Sequence, residues 1–228
     1  MLVLALDTSA AASAAVVSDD GVLAEHTIFG ARRHAEVLVP AVEQVLAEAG
    51  AQAGDFDAVA VGIGPGPYTG LRVGIATALG FGLGWSVPVH GVLSIDALAW
   101  QLASAGCVPT DFAVAIDARR KEVYWGRYSG VDSAGTPRLA AGPDVSTPTD
   151  FASAIEGVPR GGRGILLYPD LLGEAVSDKP ELVEPLASGI GEIAVRRTAA
   201  GMTLEEPRPR YLRRPDAASP KPPKRVLG

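Results

Sequence analysis

Residues 70–85 limit the fold of this chain more than any other part of its sequence. The first fifteen of them include five glycines and no acidic residue. Leu71, Ile75 and Leu79 line one side of a helix over these residues, and Val73 and Phe81 lie on other sides. Such a helix is apolar nearly all round and must be buried on more than one side. Small residues also recur at every fourth position and form what we call the glycine ridge: Gly70, Gly74, Ala78 and Gly82.

The glycine ridge has two interpretations, because a glycine inside a helix costs about 1 kcal/mol relative to alanine and needs a reason. One is close packing within the monomer. The other is a subunit interface in which a helix of another chain lies against the ridge. We predict the interface, with Leu71 beside the ridge, and expect Gly74→Leu to block association while leaving the monomer folded.

Apolar runs between turn residues predict the elements around this helix. The first set begins with an antiparallel meander of three strands at residues 2–6, 12–17 and 22–28. A helix follows over 35–49 and is closed by Gly50. Two strands over 57–63 and 87–92 come next, and then a helix over 95–103 with Ser94 as N-cap. A reduced second set has a hairpin of residues 112–116 and 122–128, a strand over 165–168 and a helix over 188–199. This order predicts a mixed, layered α/β fold.

We divide the chain into a first lobe (1–108), a reduced second lobe (109–200), a closing segment (201–214) and a flexible, basic, proline-rich tail (215–228). Residues 1–206 hold 13 basic and 25 acidic residues, whereas residues 207–228 hold seven basic and one acidic. The acidic body argues against a broad phosphate-binding face of its own. The tail is either a solvated extension or a contact for nucleic acid or a partner.

The cellular compartment is predicted from cysteine and hydropathy. Cys107 is the single cysteine, so an internal disulfide cannot form and a reducing cytoplasm is expected. Residues 73–95 carry no charged side chain, but glycines and Pro88 interrupt them. We therefore expect a buried helix, turn and strand there, with no membrane span or membrane partner.

Common catalytic motifs are missing from the sequence. Residues 64–70 resemble a phosphate loop before a helix, but they lack the terminal Gly-Lys-Ser/Thr and include two prolines that donate no N–H. A Gly-x-Ser-x-Gly nucleophile elbow does not occur. Independent catalysis therefore has little support in these patterns.

Five motifs together resemble the TsaB/YeaZ family and cover nearly the whole chain in the right order. They are residues 4–9 (LALDTS), 33–40 (RHAEVLVP), 64–74 (GPGPYTGLRVG), 117–124 (DARRKEVY) and 209–213 (PRYLR). Pro67 and Tyr68 stand where this family usually has Ser-Phe. The resemblance implies the ASKHA fold of actin, sugar kinases and heat-shock chaperones, here with a reduced second lobe.

The resemblance also implies a non-catalytic subunit that forms a heterodimer with a catalytic paralogue, TsaD, alongside a TsaE-like ATPase. Their joint product is threonylcarbamoyladenosine next to the anticodon of tRNAs that read codons starting with A. Alone, the chain would form a homodimer, and tRNA would be bound only through the complex. The two helices after the meander would supply the interface, which adds these residues to the glycine ridge and Leu71: Val37, Leu38, Ala41 and Val45.

The same resemblance implies no cofactor of its own, with ATP or ADP held in the complex. The paralogue binds its metal through two histidines four apart on a helix, and His26, His34 and His90 allow no such pair. His34 is instead expected to cap a helix or contact a partner. No metal-binding or catalytic residue is predicted.

Four residues are nucleotide-proximal candidates. Asp7, Thr8 and Ser9 occupy the place where ASKHA enzymes hold magnesium and phosphate, although such residues also cap strand ends by bonding local backbone. Arg119 belongs to a hairpin turn that contacts a partner or nucleotide, or is merely solvated. The rival function is an independent ASKHA-type ATPase or a metallopeptidase-like enzyme, and a tRNA-binding module acting through the tail is a third.

Overall fold

A five-stranded sheet organises the first lobe in the computed structural model, which describes residues 1–30 and 34–213 except the side chain of His34. Its order is β3-β2-β1-β4-β5. The first three strands are antiparallel, and β4 and β5 run parallel to β1. The predicted meander is confirmed, and the strands are β1 (Leu2–Asp7), β2 (Ala12–Ser18), β3 (Gly21–Ile28), β4 (Ala58–Gly62) and β5 (Val89–Val92).

Helices cover both faces of this sheet because its strands alternate their side chains between two apolar layers. Leu4 and Leu6 pack in a cluster with residues of α1 (His34–Ala49), α2 (Tyr68–Trp85) and α3 (Ser94–Ser104). Val3 and Ala5 pack on the opposite face against α7 (Ala187–Ala199). The predicted helices and the closing Gly50, whose φ is +64°, are confirmed.

The second lobe repeats the first with one strand fewer. Its sheet has the order β8-β7-β6-β9, with an antiparallel meander and β9 parallel to β6. The strands are β6 (Asp111–Asp117), β7 (Val123–Val131), β8 (Pro137–Ser146) and β9 (Arg160–Gly161), and the short helices are α4 (Pro148–Ala154), α5 (Arg163–Leu167) and α6 (Pro169–Leu172). This repetition confirms the two-lobe ASKHA architecture with a reduced second lobe.

In the second lobe one predicted strand is wrong and one observed strand has no counterpart among the predictions. The apolar run at residues 165–168 belongs to the end of helix α5 rather than to a strand, because periodicity cannot separate a buried strand from a buried helical turn in so short a run. Strand β8 was not predicted. It is irregularly paired and contains Pro143, which an edge strand tolerates but which hides the strand pattern.

Two further predictions need correction. Helix α7, placed with the second lobe in residues 109–200, packs on the first sheet, so the chain returns to the first lobe near Leu186. Ser94 is not the N-cap of α3, since Leu93 takes that position and Ser94 is the first helical residue. Its hydroxyl donates to Asp7 instead, at 2.6 Å.

A buried polar network joins the two lobes. Arg197 of α7 donates to Asp132, in the β7–β8 loop, at 3.1 Å and to Asp96 of α3 at 3.4 Å. Tyr128 of β7 donates its hydroxyl to the other oxygen of Asp96 at 2.8 Å. Because Asp96 is buried, its carboxylate depends on these donors.

The segment without charged residues adopts the expected elements. α2 ends at Trp85 and β5 begins at Val89, with a turn between them. None of the helices in residues 1–30 and 34–213 has both the length and the hydropathy needed to cross a bilayer. The predicted tail, residues 215–228, and Arg33 of the second motif lie outside the described residues.

Candidate functional site

The glycine ridge of α2 faces the chain's own first lobe. A Cβ added at Gly70 would lie 2.5 Å from the carbonyl oxygen of Thr8, and one added at Gly74 would overlap the Thr8 hydroxyl. A Cβ at Gly82 would overlap Val89. The ridge therefore exists so that α2 can approach the end of β1 and strand β5, and the prediction that it lies open to another chain is wrong.

The other predicted interface residues are also inside the monomer. Leu71 and Ala78 of α2 are fully buried. On α1, Val37 is partly buried, and the remaining three belong to the core of the first lobe: Leu38, Ala41 and Val45. The residues chosen from the sequence mark the inner sides of both helices, so an interface on α1 and α2 must use their outer sides.

The outer side of α2 carries a second row of small residues. Ala76, Gly80 and Gly84 stand four apart and are exposed, and a Cβ at either glycine would meet no atom within 4 Å. Leu79 and Leu83 flank this row, with exposed fractions of 45 % and 84 %. We call these five residues the outer face of α2. Sequence spacing gave the same signal for both rows and could not show which one was buried.

Helix α1 extends this apolar surface. It packs beside α2 and exposes Val39, which is 41 % accessible, together with Pro40. Exposed aliphatic side chains next to glycines that leave the backbone open permit close approach of another helix. The two helices thus form a surface suited to helix–helix packing.

Asp7 ends β1 in a closed hydrogen-bond network. One carboxylate oxygen accepts from the backbone N–H of Ser9 at 2.8 Å and from its hydroxyl at 2.6 Å, and the other accepts from Ser94 at 2.6 Å. Thr8 donates its hydroxyl to the carbonyl of Gly70 at 2.8 Å. Asp7 and Thr8 are fully buried, so their groups serve the junction of β1, α2 and α3 in this structure.

The environment of Asp7 predicts a pH-dependent stability. Burial raises the pKa of Asp7 to about 6 despite the hydrogen bonds from Ser9 and Ser94. The folded chain thus binds this proton more tightly than the unfolded chain, so stability should fall as pH rises from about 4 to 6. Asp7→Asn should remove this slope and raise the free energy of unfolding by up to about 3 kcal/mol near neutrality, measured by urea unfolding from pH 4 to 8.

The control for this prediction is Asp20→Asn in the exposed β2–β3 turn. It should keep the slope of the unchanged chain. If the free energy of unfolding changed with pH equally in Asp7→Asn and in the unchanged chain, Asp7 would not be the cause of the pH dependence.

A cleft of about 440 Å³ separates the lobes next to this network. Ser9 and Arg119 both line it, so two of the four nucleotide-proximal candidates share one cavity, while buried Asp7 and Thr8 do not line it. Arg163 and Glu184 face each other there with a 3.0 Å ion pair, and burial raises the pKa of Glu184 against the effect of Arg163. Within the described residues no three His, Cys, Asp or Glu side chains are grouped to hold a metal ion.

The glycine-rich loop of residues 64–70 closes onto this junction. A Cβ at Gly66 would lie 2.9 Å from the Cβ of Ser9, and the N–H of Gly64 donates to the Ser94 hydroxyl at 3.1 Å. Contact with residues 8 and 9 thus explains Gly66 and Gly70, whereas Gly64 has a φ of +103°. Its side chains that reach the surface are Pro67, Tyr68 and Thr69.

Comparisons with known proteins agree with this architecture. The family model described as "TsaD: tRNA N6-adenosine threonylcarbamoyltransferase" matches residues 16–162. The solved structure of YeaZ from Pseudomonas aeruginosa is similar with a TM-score of 0.78 and 31 % identity, covering 92 % of this chain and 99 % of that one.

Two curated relatives extend the comparison. The tRNA threonylcarbamoyladenosine biosynthesis protein TsaB of Escherichia coli is 32 % identical over 224 residues, 93 % of this chain and 95 % of that protein. An uncharacterised protein of Mycobacterium leprae is 46 % identical over 155 residues, and the match spans 65 % of this chain but only 40 % of that protein's length.

Proposed function

Because the chain belongs to the TsaB/YeaZ family, we propose that it acts in the biosynthesis of threonylcarbamoyladenosine in tRNA as a non-catalytic subunit that holds a TsaD-like catalytic paralogue in its active arrangement. The modified base is the adenosine next to the anticodon in tRNAs that read codons starting with A. A TsaE-like ATPase is the third member of the assembly.

The observation that carries this proposal is the outer face of α2. Leu83 projects into solvent with 84 % of its surface exposed, beside glycines that leave the helix backbone open. A surface of this kind gains free energy when another apolar helix covers it. We assign its occupant as the equivalent helix pair of the catalytic paralogue, and a second copy of this chain takes that place when the paralogue is absent.

The arrangement around Asp7 favours an accessory role over independent ATP hydrolysis. Both carboxylate oxygens accept hydrogen bonds from Ser9 and Ser94, and the side chain has no solvent contact. It is thus poorly placed to hold a metal–nucleotide complex. ATP or ADP is held in the assembled complex, with Ser9 and Arg119 of the inter-lobe cleft as this chain's nearest contributors.

Reconstitution tests the proposed function. The chain, the TsaD-like subunit and the TsaE-like ATPase are mixed with unmodified tRNA, ATP and the threonylcarbamoyl donor. Mass by light scattering and modified adenosine by mass spectrometry are then recorded. We expect a complex that contains this chain and loss of modification when it is omitted. Full modification without the chain, or saturable ATP turnover by the chain alone that Asp7→Ala abolishes, would overturn the proposal.

A further inference from the structure

The connection between β6 and β7 has an unusual backbone. Arg119, Arg120 and Lys121 have φ values of +60°, +53° and +62°, and Ser86 is the only other described non-glycine residue with positive φ. A left-handed residue with a Cβ costs about 1–2 kcal/mol. Three such residues in succession form a left-handed turn that exposes three cations. We call these three residues the basic turn.

Hydrogen bonds hold the basic turn in this conformation. Asp117 accepts the backbone N–H of Arg119 at 2.7 Å, and the N–H of Glu122 donates to the carbonyl of Arg119 at 3.0 Å. These contacts fix the main chain, and the Arg119 guanidinium also pairs with the Asp117 carboxylate at 3.0 Å. Backbone strain of this kind concentrates at functional sites, so the three cations are candidates for a functional contact.

One further arginine contacts the connection that holds the basic turn, and another contacts the tyrosines of the cavity beside it. Arg213 of the C-terminal segment donates to the carbonyl of Ala118 at 3.2 Å and pairs with Glu122. At the start of α2, Arg72 donates to the hydroxyl of Tyr211 at 3.0 Å. A cavity of about 290 Å³ lies between the turn, α2 and the C-terminal segment, and its lining includes Tyr68, Tyr124, Tyr211, Arg119, Arg120 and Arg213.

The charge of this region is opposite to that of the body. Arg72, Arg213 and the basic turn contribute five cations, against the carboxylates of Asp117 and Glu122. Residues 1–206 as a whole carry nearly twice as many acidic as basic residues. The basic residues that follow Arg213 in the sequence continue the same charge: Arg214, Lys221, Lys224 and Arg225.

We propose that the basic turn, together with Arg213, binds the sugar–phosphate backbone of the tRNA substrate. This inference rests on the proposed function, which brings tRNA to the complex. Arginine matches phosphate geometry through its planar guanidinium, and tyrosine hydroxyls donate to phosphate oxygens. Such contacts add affinity without reading sequence, as a subunit serving several tRNAs requires.

The cavity beside the basic turn and the outer face lie toward opposite ends of α2. Tyr68, beside the cavity, and Leu83, in the outer face, are fifteen residues apart on α2, which is about 22 Å along the helix. A partner centred on Leu83 would therefore meet the end of α2 that is farther from this cavity. Because Tyr68 of α2 lines the same cavity as the basic turn, an RNA held by the partner could extend along α2 onto this chain.

The test uses the complex with the catalytic subunit and the variant Arg119→Asn/Arg120→Asn/Lys121→Asn, because asparagine tolerates positive φ. We expect the Kd for unmodified tRNA to rise about tenfold and the slope of log Kd against log salt to fall by about 2–3. The KM for tRNA should also rise. The matched control, Arg138→Asn/Lys179→Asn/Arg208→Asn, removes three exposed cations elsewhere and should have little effect.

Equal tRNA affinity and salt slope in the variant and the control would overturn the proposal. A second measurement needs no variant: ultraviolet crosslinking of the unchanged complex to tRNA should label residues 117–123, and labels restricted to the catalytic subunit would contradict it. Mass measurement keeps the two proposals distinct. Failure of the unchanged chain to form the complex refutes the proposed function, whereas a variant that forms the complex and keeps its tRNA affinity refutes only this inference.

Discussion

Replacing Arg197 with methionine should lower the free energy of unfolding by about 3–5 kcal/mol at pH 7, because it leaves a buried carboxylate without its cation. Arg197 lies within hydrogen-bonding distance of Asp96 and Asp132, and Tyr128 is the remaining side-chain donor to Asp96. Equilibrium urea unfolding measures the loss. The same change removes the ionic link between α7 and the second lobe, so the two lobes should also become more accessible to proteolysis.

The pH dependence of this loss identifies its cause. Burial already raises the pKa of Asp96, while Arg197 and Tyr128 oppose that rise. Without Arg197 the folded-state pKa rises further above the unfolded value, so the variant regains stability as pH falls and protonation removes the buried charge. The deficit should therefore be largest at neutral pH and smaller near pH 4, and adding Asp96→Asn should restore much of it.

Arg196→Met is the matched control for Arg197→Met. Arg196 is exposed one position away and lies over the ring of Trp100 at 4.5 Å, a contact worth about 0.5–1 kcal/mol. A similar, pH-independent loss in both variants would mean that the buried network adds nothing beyond ordinary packing.

The second large effect is expected at the outer face of α2. Leu83→Asp should weaken association with the catalytic paralogue at least about a hundredfold, since a carboxylate enclosed in an apolar helix contact loses its hydration. The chain itself should keep its free energy of unfolding within about 0.5 kcal/mol, because Leu83 is 84 % exposed. Isothermal titration calorimetry and urea unfolding give the two quantities.

Two variants sharpen this prediction. Leu23→Asp makes the same change at a half-exposed leucine of β3 and should leave association intact. Gly74→Leu should instead destabilise the chain by about 1–3 kcal/mol or more, because its side chain would collide with Thr8. If Leu83→Asp bound the partner as tightly as Leu23→Asp, the outer face would not be the interface. If Gly74→Leu lost association but kept its free energy of unfolding, the glycine ridge would be the interface after all.

The sequence predicted most elements of the first lobe because its apolar runs are long and bounded by clear turn residues. β1 to β5 and helices α1 to α3 lie within a few residues of their expected positions. The second lobe was predicted less well. Its strands and helices at residues 137–167 are short, edge-located or interrupted by proline, so periodicity carries little information there.

The sequence likewise predicted only part of the candidate site. The motif at residues 4–9 marked the junction of β1, α2 and α3 because its polar residues follow an apolar strand. The network of Asp96, Tyr128 and Arg197 was missed, since its members are far apart in sequence and each has an ordinary helical or strand context. The left-handed basic turn was also missed, because Arg and Lys give no sign of positive φ.

The sequence by itself determined that this chain has a mixed α/β fold, that it belongs to its family, and that one glycine-rich helix must be approached closely. Only the tertiary structure decided which side of that helix is buried. Two rows of small residues share the same four-residue spacing, and a helix turns through its full circumference in 3.6 residues. Which row meets β1 depends on how α2 packs on the first sheet, and that contact buries Gly74 while leaving Gly80 and Leu83 in solvent.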